Sequence, residues 1–196
     1  MSQSPRGERF FGLFLSVAGS LGLIASLALA IEKIEALINP AEALSCDISV
    51  LVQCSANLES AQGAVLGFPN PFLGLAGFSL VLCVGVSVWA VPRFARWFWI
   101  LFNLGVGAAF VLVVWLIHQS IYALGTLCPW CLVVWVTTIP LFLFVTGRNA
   151  RAGVFGPVAA RIGAAVWPWL TLATVCAYVA VAVLAQLRLN VLATIV

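Results

Sequence analysis

Five unbroken apolar stretches dominate the chain, at residues 10–31, 72–91, 97–121, 128–145 and 166–187, and none contains Asp, Glu, Lys or Arg. A bilayer core about 30 Å thick takes roughly 20 helical residues to cross. The stretches meet or approach that length. They lack the period-two alternation of barrel strands, so they read as helices. The composition agrees, with 64% hydrophobic and 8% charged residues, against about 25% charged in an average soluble domain. So few charges cannot clothe a water-facing surface. This excludes a soluble enzyme, a disordered chain and a nucleic-acid binder, whose basic face needs clustered Lys and Arg. The first stretch outruns the apolar core of a secretory leader, and Ile31-Glu32-Lys33 is a poor cleavage site. The expectation is an all-α membrane protein, a five-helix bundle in one domain over residues 1–196, without internal repeats.

Basic residues bias the orientation. With the N-terminus in the cytoplasm, Arg6, Arg9, Arg93, Arg96, Arg148, Arg151 and Arg161 fall inside and only Lys33 and Arg188 outside. The 32–71 segment then faces outward with Glu32, Glu35, Glu42, Asp47 and Glu59, and the C-terminus lies outside too. Asn39-Pro40 is expected to stop an extension of the first helix. Gly67-Phe68-Pro69-Asn70-Pro71 reads as the turn back into the membrane. Recurring glycines (Gly12, Gly19, Gly22, Gly74, Gly77, Gly85, Gly105, Gly107) suit close helix packing in lipid.

The chemistry lies in six cysteines. Cys83 and Cys176 fall within apolar spans and read as buried apolar fillers. Cys46, Cys54, Cys128 and Cys131 all map to the outer side, where disulfides persist. Pro129 is suited to the first helical position, which makes Cys128 the N-cap and Cys131 the third helical residue. Unpaired backbone N–H groups and the helix dipole there favour a thiolate, as in reactive Cys-x-x-Cys pairs. Two such pairs within reach can pass electrons through a mixed disulfide. Two static staples or a zinc site are the competing readings. The Cys46–Cys54 spacing and the placement of the single His, His118, in an apolar run count against zinc. A loop as short as Cys-x-x-Cys gains little from closure, which counts against a mere staple.

One ordered set of landmarks is specific: Cys46-Asp47, Cys54 eight residues on, Ser60 six after that, Leu66-Gly67-Phe68-Pro69-Asn70-Pro71, and Cys128-Pro129-Trp130-Cys131. In these the chain resembles bacterial members of the vitamin K epoxide reductase family, membrane thiol oxidoreductases that couple disulfide formation to quinone reduction. The resemblance covers the first four helices, which would form the catalytic core. It implies that Cys128 and Cys131 are the active-site pair, with Cys131 nearest the quinone (menaquinone or ubiquinone). It also implies that Cys46 and Cys54 are the shuttle pair, with Cys54 reaching Cys128 and Cys46 meeting a DsbA-like thioredoxin-fold partner. Ser60 would support the site and Asn70 would hydrogen-bond a quinone carbonyl. The vertebrate enzymes carry a tyrosine four residues past the second active-site cysteine; Trp135 stands there in this chain. Some bacterial forms continue into a fused thioredoxin-like domain, whereas this sequence ends at Val196, so a separate partner is expected.

Aromatic residues near the same membrane depth (Phe68, Phe72, Trp115, Tyr122, Trp130, Trp135) suit either a flat quinone pocket or an interfacial belt. His118 suits either a proton relay to the quinone or an interfacial position. The reading is a disulfide-generating thiol:quinone oxidoreductase of a bacterial inner membrane, with its site facing the periplasm. A quinone-epoxide reductase using the same thiols and a non-enzymatic, disulfide-stapled membrane adaptor are the alternatives.

Overall fold

The computed structural model describes residues 5–40, 43–90 and 94–192. Val91, Arg93, Glu42 and Val196, each used in the sequence reading, lie outside them. Helix α1 (Pro5–Ile38) is followed by a loop carrying the short α2 (Ser55–Glu59) and a 3-10 turn (Ala61–Ala64). Then come α3 (Asn70–Ala90), α4 (Arg96–His118) with a π-helical extension (Gln119–Leu124), and α5 (Pro129–Arg151). A last crossing joins α6 (Pro157–Val166), a 3-10 turn (Trp167–Trp169) and α7 (Leu170–Leu189). Five helical segments are long and apolar enough to cross a membrane, and no strand is present among the described residues. The protein is an all-α integral membrane protein.

Element boundaries differ from the apolar runs where polar residues extend a helix. The 34 residues of α1 would run about 51 Å at 1.5 Å each, well beyond the hydrocarbon core. Its last turns therefore stand clear of the apolar layer and form a wall for the loop. The fourth helix continues to Arg151 rather than ending near 145, with Arg148 and Arg151 in its last turn, where cations suit the helix dipole. The final span begins at Pro157, not at 166, and Trp167–Trp169 tightens it where Pro168 interrupts the ladder.

Helix α5 is central, touching α1, α4, α6 and α7, while α3 leans chiefly on α1. Glycine permits the α1–α3 approach: a Cβ on Gly19 would lie 2.7 Å from the Leu82 backbone nitrogen, and one on Gly85 2.6 Å from that of Ser16. Gly77 and Gly105 have no such neighbour. Pro140 sits inside α5 and has no N–H to offer the Val136 carbonyl. The Tyr178 hydroxyl of α7 donates to that carbonyl at 2.6 Å, which fastens the last helix to α5 one turn before Pro140.

At the end of the bundle away from the cysteine loop, Arg148 is buried rather than lying in a loop. It pairs with Glu8 at 2.9 Å and stacks between Phe11 and Trp99, 5.2 and 4.0 Å from the ring centres. Asn149, fully buried, donates to the Trp99 carbonyl and to Asn103 Oδ1. Removing Glu8 would strand the buried Arg148 charge. The expectation for Cys83 and Cys176 is corrected: both are free thiols exposed on the bundle's outer surface. Their helices present other faces to their neighbours, Val81, Val84 and Gly85 in α3 and Thr174 in α7.

Candidate active site

The loop reaches the fourth span by backbone pairing. Leu127 N–H donates to the Leu51 carbonyl at 2.8 Å, and Gln53 N–H donates to the Leu127 carbonyl at 3.0 Å. Val52 and Leu127 thus form a parallel bridge. It sets the residue before Cys128 beside the residues before Cys54. Next door, the Asn57 amide donates to Thr126 Oγ1 at 3.1 Å. The π-helical extension closes at Gly125, whose φ of +71° is the left-handed conformation that glycine adopts without strain. Gly125 and Thr126 N–H both return to the Ser120 carbonyl.

Three of the four loop and α5 cysteines meet in this frame. A disulfide joins Cys46 and Cys54, and the free Cys128 thiol donates to Cys54 Sγ at 3.3 Å. Cys54 and Cys128 are completely buried, and Cys46 nearly so, among Leu29, Ala36, Leu44 and Leu58. Cys128 caps α5 with Pro129 as the first helical residue, and its sulfur accepts from Cys131 N–H at 3.4 Å. The Cys131 thiol is the largest influence holding the Cys128 thiol below its ordinary pKa. Burial opposes it, and the backbone N–H groups of Cys131 and Trp130 assist. Cys128 is the sulfur most readily made a thiolate, and it touches a disulfide. That is the encounter geometry of thiol–disulfide exchange. Cys131, free and half-buried, borders both the cysteine cluster and the cluster between α4, α5 and α7.

The supporting residues act through the loop. Asp47 Oδ1 accepts from Cys54 N–H at 2.7 Å and Ser55 N–H at 3.1 Å, satisfying the start of α2. Desolvation pushes its carboxyl up, but the backbone donors of Ser55 and Cys54 and the Ser55 hydroxyl outweigh it, so its pKa falls below the ordinary 3.8. Ser60 caps the 3-10 turn: its hydroxyl donates to the Asn57 carbonyl and accepts from Gly63 N–H. Asn70, first in α3, donates to the Gln62 carbonyl at 2.7 Å and accepts from Val65 N–H at 3.0 Å. Gln62 in turn donates to Gln119 at 3.4 Å, so the loop bridges the start of α3 and the end of α4.

The candidate quinone contacts are not gathered in one place. Trp135 is buried with Val113, Ile117, Ile121 and Ala185, in a cluster without any residue of α3. It also lines an apolar groove of about 460 Å³ between α5 and α7, with Tyr178 and Ile139. Trp115 is partly exposed, and His118 stacks on Tyr122 with ring centres 4.9 Å apart. By helical spacing these three lie on the face of α4 opposite Val113 and Ile117. Phe68 and Phe72 are exposed where the loop meets α3. A quinone bound at the cysteine end would meet two groups of suitable chemistry. The half-buried Cys131 thiol can supply electrons, and Asn70 keeps one amide N–H beyond those used here.

Sequence reasoning missed Glu32, Lys33, Ser45 and Asn57. Lys33 Nζ donates to the Leu58 carbonyl at 2.9 Å, and Glu32 accepts from Ser45. A readable signal existed for Glu32. It lies three residues after Leu29 and four before Ala36, on the helix face that both bury against the cysteines. The tie from Asn57 to Thr126 spans 69 residues and leaves no local trace.

Comparison with curated proteins finds no match. A family model described as "Vitamin K epoxide reductase family" matches residues 13–146, more than half of the chain. The match takes in the cysteine loop and the first four spans and leaves the last one outside. Members of this family are membrane oxidoreductases of disulfides and quinones, a chemistry that fits a free thiol set against a disulfide. On the family match, the helical bundle and the cysteine geometry together, the chain belongs to the vitamin K epoxide reductase family.

Proposed function

We propose that this protein oxidises a thioredoxin-fold dithiol partner and delivers the electrons to a membrane quinone, so generating disulfides for exported proteins. The observation that carries the reading is the 3.3 Å approach of Cys128 Sγ to the sulfur of Cys54 in the Cys46–Cys54 disulfide. Static staples would not need a third sulfur in contact. In the proposed cycle the Cys54 thiolate attacks a Cys128–Cys131 disulfide at Cys128, and Cys131 leaves as a thiolate. Cys46 then attacks Cys54, closing the loop disulfide and releasing Cys128. In this cycle the second step leaves a closed loop disulfide beside two α5 thiols, and the Cys46–Cys54 disulfide with free Cys128 and Cys131 supports that reading. A quinone accepts the two electrons and two protons that leave Cys128 and Cys131, and either menaquinone or ubiquinone meets that need.

In this reading the cysteine end faces the periplasm of a bacterial inner membrane. The excess of arginine among Arg6, Arg9, Arg96, Arg148, Arg151 and Arg161 supports a cytoplasmic N-terminus. Asn70 orients the quinone carbonyl through its spare N–H, and Cys46 is the sulfur the partner meets. The test is turnover by purified protein in liposomes, with a reduced thioredoxin-fold dithiol protein as donor and a soluble quinone as acceptor. Quinone reduction that vanishes in both Cys54→Ala and Cys128→Ala supports the relay; normal rates in either variant would sink it. Supplying quinone epoxide as acceptor in place of quinone separates the epoxide-reductase alternative.

A further inference from the structure

The relay requires an incoming thiolate to reach Cys46, yet that residue is 6% exposed. The arm that carries it must therefore lift, and what holds the arm down is specific. Glu32 is the one buried carboxylate among the described residues, 5% exposed on the outer stretch of α1. One of its oxygens accepts from Ser45 N–H at 3.2 Å, and the other accepts from the Ser45 hydroxyl. Ser45 itself is exposed and immediately precedes Cys46. Among the described residues of the 43–50 arm, this is the one polar side-chain tie to a membrane helix; the remaining hydrogen bonds of the arm stay within the loop.

We propose that Glu32 is a positioning residue: through Ser45 it holds the Cys46 arm closed over the cysteine cluster, and release of that contact exposes Cys46 to the donor thiolate. Two donors from Ser45 compensate the burial of the Glu32 carboxylate, and because opening returns Glu32 to water the net hold is modest. The tie therefore breaks more easily than a set of backbone bonds. Once the arm is open, the donor thiolate bonds to Cys46 Sγ, the Cys46–Cys54 bond breaks and Cys54 leaves as a thiolate. The donor's second thiol then displaces Cys46. The donor is oxidised by two electrons, and its two protons end on Cys46 and Cys54.

This inference rests on the proposed relay, but its test uses neither quinone nor partner. The full-length protein in detergent is treated with a water-soluble phosphine, and reduction of the Cys46–Cys54 disulfide is followed by maleimide mass shift. Glu32→Gln and Ser45→Ala are expected to reduce at least about tenfold faster than wild type, the change expected when a hydrogen bond to a charged group is lost from a locally opening segment. Ser45→Thr, which keeps the hydroxyl, stays at the wild-type rate. Equal rates in all variants overturn the proposal. So does acceleration that Ser45→Thr or the remote Tyr178→Phe shares, because that reports general loosening. Should the turnover assay fail while these rates split as expected, the latch stands and the relay falls.

Discussion

The two sulfurs of the loop disulfide are held in opposite ways. On the Cys54 side, backbone bonds join Leu51 and Gln53 to Leu127. Lys33 ties the end of α2 to α1 there, and Asn57 reaches Thr126, while Asp47, next to Cys46, accepts from Cys54 and Ser55 N–H and joins the two sides within the loop. On the Cys46 side the tie to a membrane helix is Glu32 with Ser45. The fixed side is the one in contact with Cys128, where exchange within the molecule needs sulfur atoms held in line. In the proposed relay the lightly held side is the one that meets a second protein. One loop would then combine a rigid electron-transfer contact with a movable docking arm, because its anchors are distributed unequally.

The largest way to break this contrast is to remove the sulfur on the rigid side. Cys128→Ala is expected to abolish dithiol-driven quinone reduction and, with donor present, to leave the Cys46–Cys54 pair reduced, as read by activity and by mass shift after alkylation. Loosening the rigid side should act more mildly. Asp47→Ala removes the acceptor for Cys54 and Ser55 N–H, which costs about 1 kcal/mol by analogy with lost helix caps. Faster hydrogen exchange at those two amides and slower exchange between Cys54 and Cys128 would register it. The Asp47 carboxyl titrates below its ordinary 3.8 in the folded protein. Its contribution is therefore complete above that value and is lost as pH falls through the lower folded one. The difference between wild type and Asp47→Ala should persist at neutral pH and shrink only in strong acid. The smallest effect is expected far from both arms. Tyr178→Phe removes one exposed hydrogen bond to the Val136 carbonyl and destabilises α7 docking by about 0.5 kcal/mol, seen as a slightly lower melting temperature. Exchange among the cysteines is unchanged.

The spans were legible because lipid forces a long apolar helix to announce itself in composition. The cap at Cys128 was legible too, since Pro129 is pre-shaped for the first helical position. The ends of the spans were less so: Arg148 looked like a loop charge because nothing local reveals Glu8, Phe11 and Trp99 waiting around it. Cys83 and Cys176 looked buried because a hydrophobic scale does not say which face of an all-apolar helix meets protein and which meets lipid. The cysteine quartet was readable as a set. The Val52–Leu127 bridge that brings its halves together joins distant segments, and Glu32 was read as one of several loop acids rather than as a buried anchor. The aromatic residues were readable only by depth, and the structure separates Trp135 from Trp115, His118 and Tyr122 by helix face.

The most direct measurement is a trap for the inter-pair bond. In a Cys46→Ala, Cys131→Ala double variant, each pair keeps the sulfur assigned to the contact, and mild oxidation followed by peptide mass spectrometry reads which bond forms. Near-complete Cys54–Cys128 linkage is the predicted result. Failure to form it, with both thiols remaining free under conditions that oxidise the wild-type pairs, would contradict the relay at its central step.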